Sequence, residues 1–273
     1  MKDVCELITS RQNQLLVETH KLSDRKHRTR SGLFRFDGIK LASEALLRDV
    51  ELHAVLLRQS DAETVTERIF SLSGKRFPDN ARVVCVADHV FDSLSEESAP
   101  EGVICVARMQ KQMHATWQQT PPISERVMLL EAVRDPSNLG AIIRSATAFG
   151  VDRLILSADC ADIYNAKAVR ASMGTLFSQR IDRTDDLAVA IMALRQSGRR
   201  VFAAALDDKA ERLGEFVIEK GDCAVIGNEG HGLSAPVIEA CGRTVYIPMT
   251  ERAESLNAAV AASVLMWSFS RNV

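Results

Sequence analysis

The chain has 273 residues, enough for one large domain or two of ordinary size, and 46% hydrophobic with 26% charged residues is the balance of a globular protein. No apolar run approaches the roughly 18 residues that cross a bilayer, and MKDVCELITSRQ lacks the apolar stretch of a secretory signal, so a cytoplasmic protein without membrane partners is expected. The net charge of −2 gives no general pull on nucleic acid, yet Lys21, Arg25, Lys26, Arg28 and Arg30 form a basic cluster opposed only by Asp24.

In chain order, residues 4–22 place Leu7, Ile8, Leu15, Leu16 and Leu22 as a surface helix would. KLSDRKHRTRSG is polar, ends in glycine and predicts a loop. FRFDG alternates as a strand does. IKLASEALLRDV then reads as a helix, AVLLR as a strand, AETVTERIFSLSG as a helix ending at Gly74, RVVCVAD as a strand, VFDSLS as a short helix and GVICVARM as a strand. This order predicts a compact α/β layer. Residues 111–125, KQMHATWQQTPPISE, have no period, contain Pro121 and Pro122, and predict a linker.

Beyond it, VMLLEAV, RLILS, VFAAAL, CAVIG and TVYIPM are apolar strands, with helices predicted to start near Asn138, Asn165, Asp185, Leu233 and Ser255. Apolar strands alternating with helices predict a parallel sheet covered on both faces, which binds ligands in the loops at the carboxyl ends of its strands. The expected division is 1–112 for a smaller α/β domain, 113–125 for the linker and 126–273 for the parallel-sheet domain. Six cysteines form no C-x-x-C pair, so no metal knuckle and no disulfide framework are expected; Cys85, Cys105 and Cys223 lie in apolar runs as buried free thiols.

Three loops of the second half could carry chemistry. RDPSNLGAIIRSATAFG follows the first strand. Pro136 and Ser137 break the strand, Asn138 can cap the next helix and Gly150 can end it. Arg144, on a helix otherwise mostly apolar or small, is either a surface group or a phosphate and ribose ligand. GNEGHGLS follows CAVI, and Gly227, Gly230 and Gly232 let the backbone pass close to a ligand. The spacing is neither G-x-G-x-x-G nor a phosphate loop with its lysine. Glu229 is either a solvated turn carboxylate or a site residue. In IPMTERAESLNAAVAASVLMW, Ser255 is a plausible helix cap, Asn257 lies in the first turn, and Ala258, Ala259, Ala261 and Ala262 permit close helix packing or a subunit contact.

In this order the loops resemble the three motifs of the SpoU (TrmH-like) ribose methyltransferases: NLGAIIRSATAFG the first, GNEGHGLS the second, IPM with SLNAAVAA the third. The resemblance runs from about Val127 to the C-terminus and departs at Glu251, where members have a glycine. The segment KLSDRKHRTRSGLFRFDGIKLASEAL is similar to the ribosomal-protein-like substrate-binding domain of many members. The resemblance implies a catalytic domain whose C-terminal segment threads a trefoil knot. It implies a homodimer with the active site at the subunit interface, S-adenosyl-L-methionine as cofactor, no metal, and methylation of a ribose 2′-hydroxyl in structured RNA rather than DNA. Ribosomal RNA is preferred over transfer RNA because the appended domain is common among the ribosomal enzymes. By carry-over, Asn138, Arg144, Glu229, Ser255 and Asn257 are the catalytic positions. Leu206, Gly227, Asn228, Ile247 and Leu256 would hold the cofactor, and Arg25, Lys26, Arg28 and Arg30 would grip RNA phosphates. A nicotinamide-dependent dehydrogenase is disfavoured because RDPSNLG lacks the glycine fingerprint. A base methyltransferase is disfavoured because no cysteine lies in the three loops. A non-catalytic RNA-binding module is disfavoured because it has no need of the polar motif residues.

Overall fold

A computed structural model describes residues 6–97, 99–111, 114–228, 230–250, 252 and 255–270, with the backbone alone at His114. Contacts divide the chain into two compact units, Met1–Gln110 with Tyr164–Phe177, and Lys111–Ile163 with Ser178–Val273.

The first unit begins β1 (Glu6–Ile8), α1 (Gln14–Lys21), α2 (Arg25–Ser31), β2 (Leu33–Asp37), α3 (Ile39–Leu47), β3 (Leu52–Arg58), α4 (Ala62–Ser73), β4 (Arg82–Val86), α5 (Asp88–Leu94) and β5 (Val103–Arg108). The strands lie in the order β1-β4-β3-β5-β2, parallel from β1 to β3 and antiparallel at β5 and β2. Leu16, Leu22, Val90, Phe91 and Leu94 pack on Leu56, Val84, Ile104 and Val106.

Two expectations for this unit are corrected. The helix predicted over 4–22 is a strand and a shorter helix. Glu6–Ile8 pairs with β4, and Asn13 starts α1 by accepting the N–H of Leu15. The predicted loop at 21–32 contains α2, an element with no apolar residue. Asp24 Oδ1 caps it by accepting from the Lys26 N–H at 2.8 Å, and Gly32 closes it at φ +68°.

The chain continues through β6 (His114–Thr116), β7 (Val127–Leu130), α6 (Pro136–Ala148), β8 (Arg153–Ser157), α7 (Ala166–Ser172), β9 (Arg180–Thr184), α8 (Leu187–Gln196), β10 (Val201–Ala204), β11 (Glu211–Arg212), β12 (Cys223–Ile226), α9 (Ala235–Cys241), β13 (Gly242–Tyr246) and α10 (Ala258–Ser270). Among these, α7 belongs to the first unit, where Tyr164 and Phe177 on either side of it pack on Phe34 and Phe36 of β2.

The second unit is an all-parallel sheet in the order β11-β13-β10-β12-β7-β8-β9-β6. The five apolar strands read from sequence form its centre. Its flanks were not foreseen: β9, sequence RIDRT, buries Asp182 against Arg153, and β6 arises within the predicted linker as an edge strand beside β9. Along β10 the faces alternate. Val201 and Ala203 pack with Leu187, Ile191 and Val237 of α8 and α9, while Phe202 meets Phe269 of α10. Helices α6 and α10 lie side by side, joined by Ser145 and Ser263, whose Oγ atoms are 2.7 Å apart. Cys105, Cys160, Cys223 and Cys241 are buried free thiols, but Cys85, expected to be buried, is only half-buried.

Candidate active site

Strands β10, β12 and β13 are neighbours running the same way, so their carboxyl ends open on one place. There the chain after each strand, with the start of α10, encloses a cavity of about 440 Å³. Leu206, Gly227, Asn228, Ile247 and Leu256 all line it, as does Ser255. Leu206 is 74% exposed and Met249, also lining, 39%, so apolar side chains stand open to solvent around a site of ligand size.

The glycine loop is shaped by a close backbone approach. A Cβ on Gly227 would sit 2.4 Å from the carbonyl carbon and oxygen of Gly232, so no other residue fits without moving the loop. Asn228 and Gly232 exchange both backbone hydrogen bonds, at 3.0 and 2.9 Å, and Gly232 has φ +65°. The Asn228 side chain donates to the Ala132 carbonyl at 2.9 Å and accepts the Gly230 N–H at 2.8 Å. The Glu131 carboxylate accepts from the N–H and the hydroxyl of Ser234, at 2.8 and 2.6 Å. Glu131 and Ala132 were not singled out from sequence; a carboxylate at a strand end and a residue at φ +53° have no local signature. Glu229 and Glu251 lie outside the described residues.

In the first motif the cap of α6 is Asp135, which accepts the N–H of Asn138 at 2.8 Å. Asn138, expected as the cap, is thereby released, and its Oδ1 accepts from Asn257 Nδ2 at 3.0 Å. In the third motif Asn257 is the cap, not Ser255. Its Oδ1 accepts the N–H groups of Ala259 and Val260, at 2.9 and 3.3 Å, and α10 starts at Ala258. Arg144 is exposed and makes no ion pair or hydrogen bond with another described residue. Six residues past Asn138 it stands about 9 Å further along α6, and among the described residues no side-chain hydrogen bond joins it to Asn138, Ser255 or Asn257. The buried cysteines offer no nucleophile: burial pushes the Cys223 thiol up to about 11 and the Cys241 thiol up to about 12.

In the first unit, Arg25, Lys26 and Arg30 are exposed on α2. Arg28 is corrected: it is 3% exposed and donates to the carbonyls of Leu22 and Ser23, at 2.7 and 2.8 Å, which ties α2 to the end of α1 rather than offering a charge to a partner.

Two family models match the chain. The MRM3-like substrate binding domain matches residues 13–105, and the SpoU rRNA Methylase family matches residues 125–267. The chain is 29% identical to the 23S rRNA (guanosine(2553)-2′-O)-methyltransferase RlmP of Bacillus subtilis, over 95% of this chain and 97% of the relative. It is also 29% identical to the 23S rRNA (uridine(2479)-2′-O)-methyltransferase of Streptomyces viridochromogenes, over 95% and 90%. The crystal structure of the AdoMet-bound rRNA methyltransferase of Sinorhizobium meliloti superposes with a TM-score of 0.78 at 26% identity, covering 98% of both chains. With more than half its length matched by the methylase model, the chain belongs to the SpoU rRNA Methylase family.

Proposed function

We propose that this protein transfers a methyl group from S-adenosyl-L-methionine to a ribose 2′-hydroxyl of ribosomal RNA, in the cytoplasm. The observation that carries the reading is the 440 Å³ cavity on which all five expected cofactor positions converge. The cofactor fits its chemistry: apolar side chains for an adenine ring, and backbone at Gly227 that no side chain screens. When bound, the cofactor supplies a methyl carbon on a positively charged sulfur.

The chain's own residues position and polarise the acceptor. Asn257 is fixed by capping α10 and by its bond to Asn138, and the Asn138–Asn257 pair orients the target nucleotide beside the cavity. Ser255 adds a polar group to the cavity wall, and Glu229 is the further catalytic position that the family resemblance implies. Arg144 keeps its proton and stabilises the negative charge developing on the ribose oxygen, while the hydroxyl proton leaves to water or phosphate. Because Arg144 is remote from the asparagine pair within one chain, the active form is a homodimer in which Arg144 serves the site of the second copy. Exposed Val260 and Trp267, 49% and 46% accessible and two turns apart on α10, support a subunit contact there. The C-terminal loops are threaded as a trefoil knot, as the family resemblance implies.

The unit of residues 1–110 with 164–177 is the RNA-binding domain and that of 111–163 with 178–273 the catalytic domain, so the expected boundaries at 112 and 126 shift: β6 joins the catalytic sheet, and 164–177 group with the first unit. Arg25, Lys26 and Arg30 contact RNA phosphates, and salt weakens that contact. Ribosomal RNA is preferred to transfer RNA because both full-length relatives named above act on 23S rRNA.

The test is transfer of labelled methyl from S-adenosylmethionine to total RNA of cells lacking the protein, by wild type and Arg144→Ala. Label in 23S rRNA at one alkali-resistant site, lost in the variant, is expected. Label confined to transfer RNA would replace the substrate, and cofactor binding without transfer to ribosomes, free rRNA or transfer RNA would leave an RNA-binding module.

A further inference from the structure

A second cationic feature lies at the opposite end of the sheet. Where the cofactor cavity opens beyond Ala204 and Val245, a crevice of about 500 Å³ opens at the start of the same two strands, lined by Arg195, Gln196, Arg199, Arg200 and Arg243. The span of β10 separates the two by about 10 Å. No carboxylate is among the described residues that line it.

The four guanidiniums are held in place. Arg200 pairs with Asp222 and Glu219, and Arg243 with Glu211 at 2.9 Å. Their guanidinium carbons lie 5.6 and 5.2 Å from the centroid of the Phe202 ring. Arg195 and Arg199 differ, since neither has a carboxylate partner among the described residues. Arg195 donates to the Ala240 carbonyl at 2.8 Å. Arg199, 4% exposed, spends its terminal nitrogens on the carbonyls of Pro122, Glu125 and Gly221, but its buried Nε–H has no hydrogen-bond partner. A buried donor left unsatisfied is destabilising, and Arg199 is one of the residues that line the crevice. Nothing in methyl transfer at the far end of the strands uses these residues.

We propose that this crevice is a second RNA-contact site, in which a phosphodiester of the substrate RNA is held by Arg195 and Arg243 with Arg199 and Arg200 behind them. The inference rests on the RNA-methylation reading and extends the RNA footprint from α2 to the methylase unit. Phosphate suits the geometry: planar guanidiniums bind its oxygens in pairs, and weak hydration lets arginine do so in a half-enclosed site. The contact carries no base information, so it sets affinity and register rather than sequence choice.

The experiment titrates 23S rRNA from cells lacking the protein into the full chain at several salt concentrations, comparing wild type, Arg195→Gln/Arg243→Gln and Gln196→Glu. The last removes no existing strut and places a carboxylate in the crevice. Cofactor affinity and the thermal midpoint of each variant report its folding. RNA affinity at least about fivefold weaker in both variants, with a log–log salt slope flatter by about one in the arginine variant, is expected. RNA affinity and slope unchanged in folded variants overturn the site. If RNA binding is unchanged but thermal stabilisation by inorganic phosphate is lost, the crevice takes a free phosphorylated compound and the RNA assignment is overturned. A wild type that binds S-adenosylmethionine but no RNA overturns the functional reading itself, and the crevice with it.

Discussion

Asn257 performs two tasks with two different atoms. Its Oδ1 caps α10 and its Nδ2 holds Asn138. Asn257→Asp keeps an acceptor at the helix start, where a negative charge is favourable, and removes only the donor. The expected outcome is a thermal midpoint close to wild type with methyl transfer reduced about tenfold or more; an equal loss of both would mean that the cap is the whole of its role. Gly227→Ala tests the cavity from the other side. Its Cβ would meet the Gly232 backbone at 2.4 Å, so the loop must open. Isothermal titration should find S-adenosylmethionine affinity weakened at least about tenfold while α2-dependent RNA binding persists, and unaltered cofactor affinity would refute the pinch as the reason for glycine. At this scale the sequence singled out residues that the structure brings near one another, Asn138 and Asn257 in particular, but not their local contacts. Asn138, Ser255 and Asn257 were legible from motif order, but the cap fell to Asp135 and Asn257 because capping is decided by where the backbone enters the helix. Glu131 went unseen because its partner, Ser234, is 103 residues away.

Helix α2 shows what periodicity cannot detect. Its seven residues, RKHRTRS, contain nothing apolar, so no amphipathic pattern announces it. The helix is specified by its ends and by a buried guanidinium, and the same reasoning applies to β9, whose buried polar residue is Asp182, partnered by Arg153. The four bases of the cluster therefore divide. Arg28→Ala should leave the carbonyls of Leu22 and Ser23 without their donor and lower stability by about 1–3 kcal/mol, read by urea unfolding. The Arg25→Ala/Lys26→Ala/Arg30→Ala variant should unfold as wild type does while its RNA binding weakens and its salt slope flattens by about two to three. The opposite pattern, a stable Arg28→Ala protein with impaired RNA binding, would return Arg28 to the RNA face.

Across the whole molecule the parallel sheet was legible because its central strands are uninterrupted apolar runs, and adjacent parallel strands bring their carboxyl-end loops together wherever they fall in the chain. What one chain does not assemble is Arg144. It stands exposed on α6, apart from the asparagine pair, while α6 packs on α10 with its outward Val260 and Trp267. If the proposed homodimer brings Arg144 of one copy to the Asn138–Asn257 pair of the other, two inactive variants can rescue each other. Co-refolded Arg144→Ala and Asn257→Asp chains give half heterodimers, each with one site holding both an intact Arg144 and an intact Asn257, so activity should return to about a quarter of wild type. Rescue requires only that the two residues act from different chains at one site, and neither variant's residual rate nor a change in stability can imitate it. Activity in the mixture no higher than the mean of the separate variants would place Arg144 and Asn257 in the same chain's site and require α6 to turn Arg144 toward its own cavity.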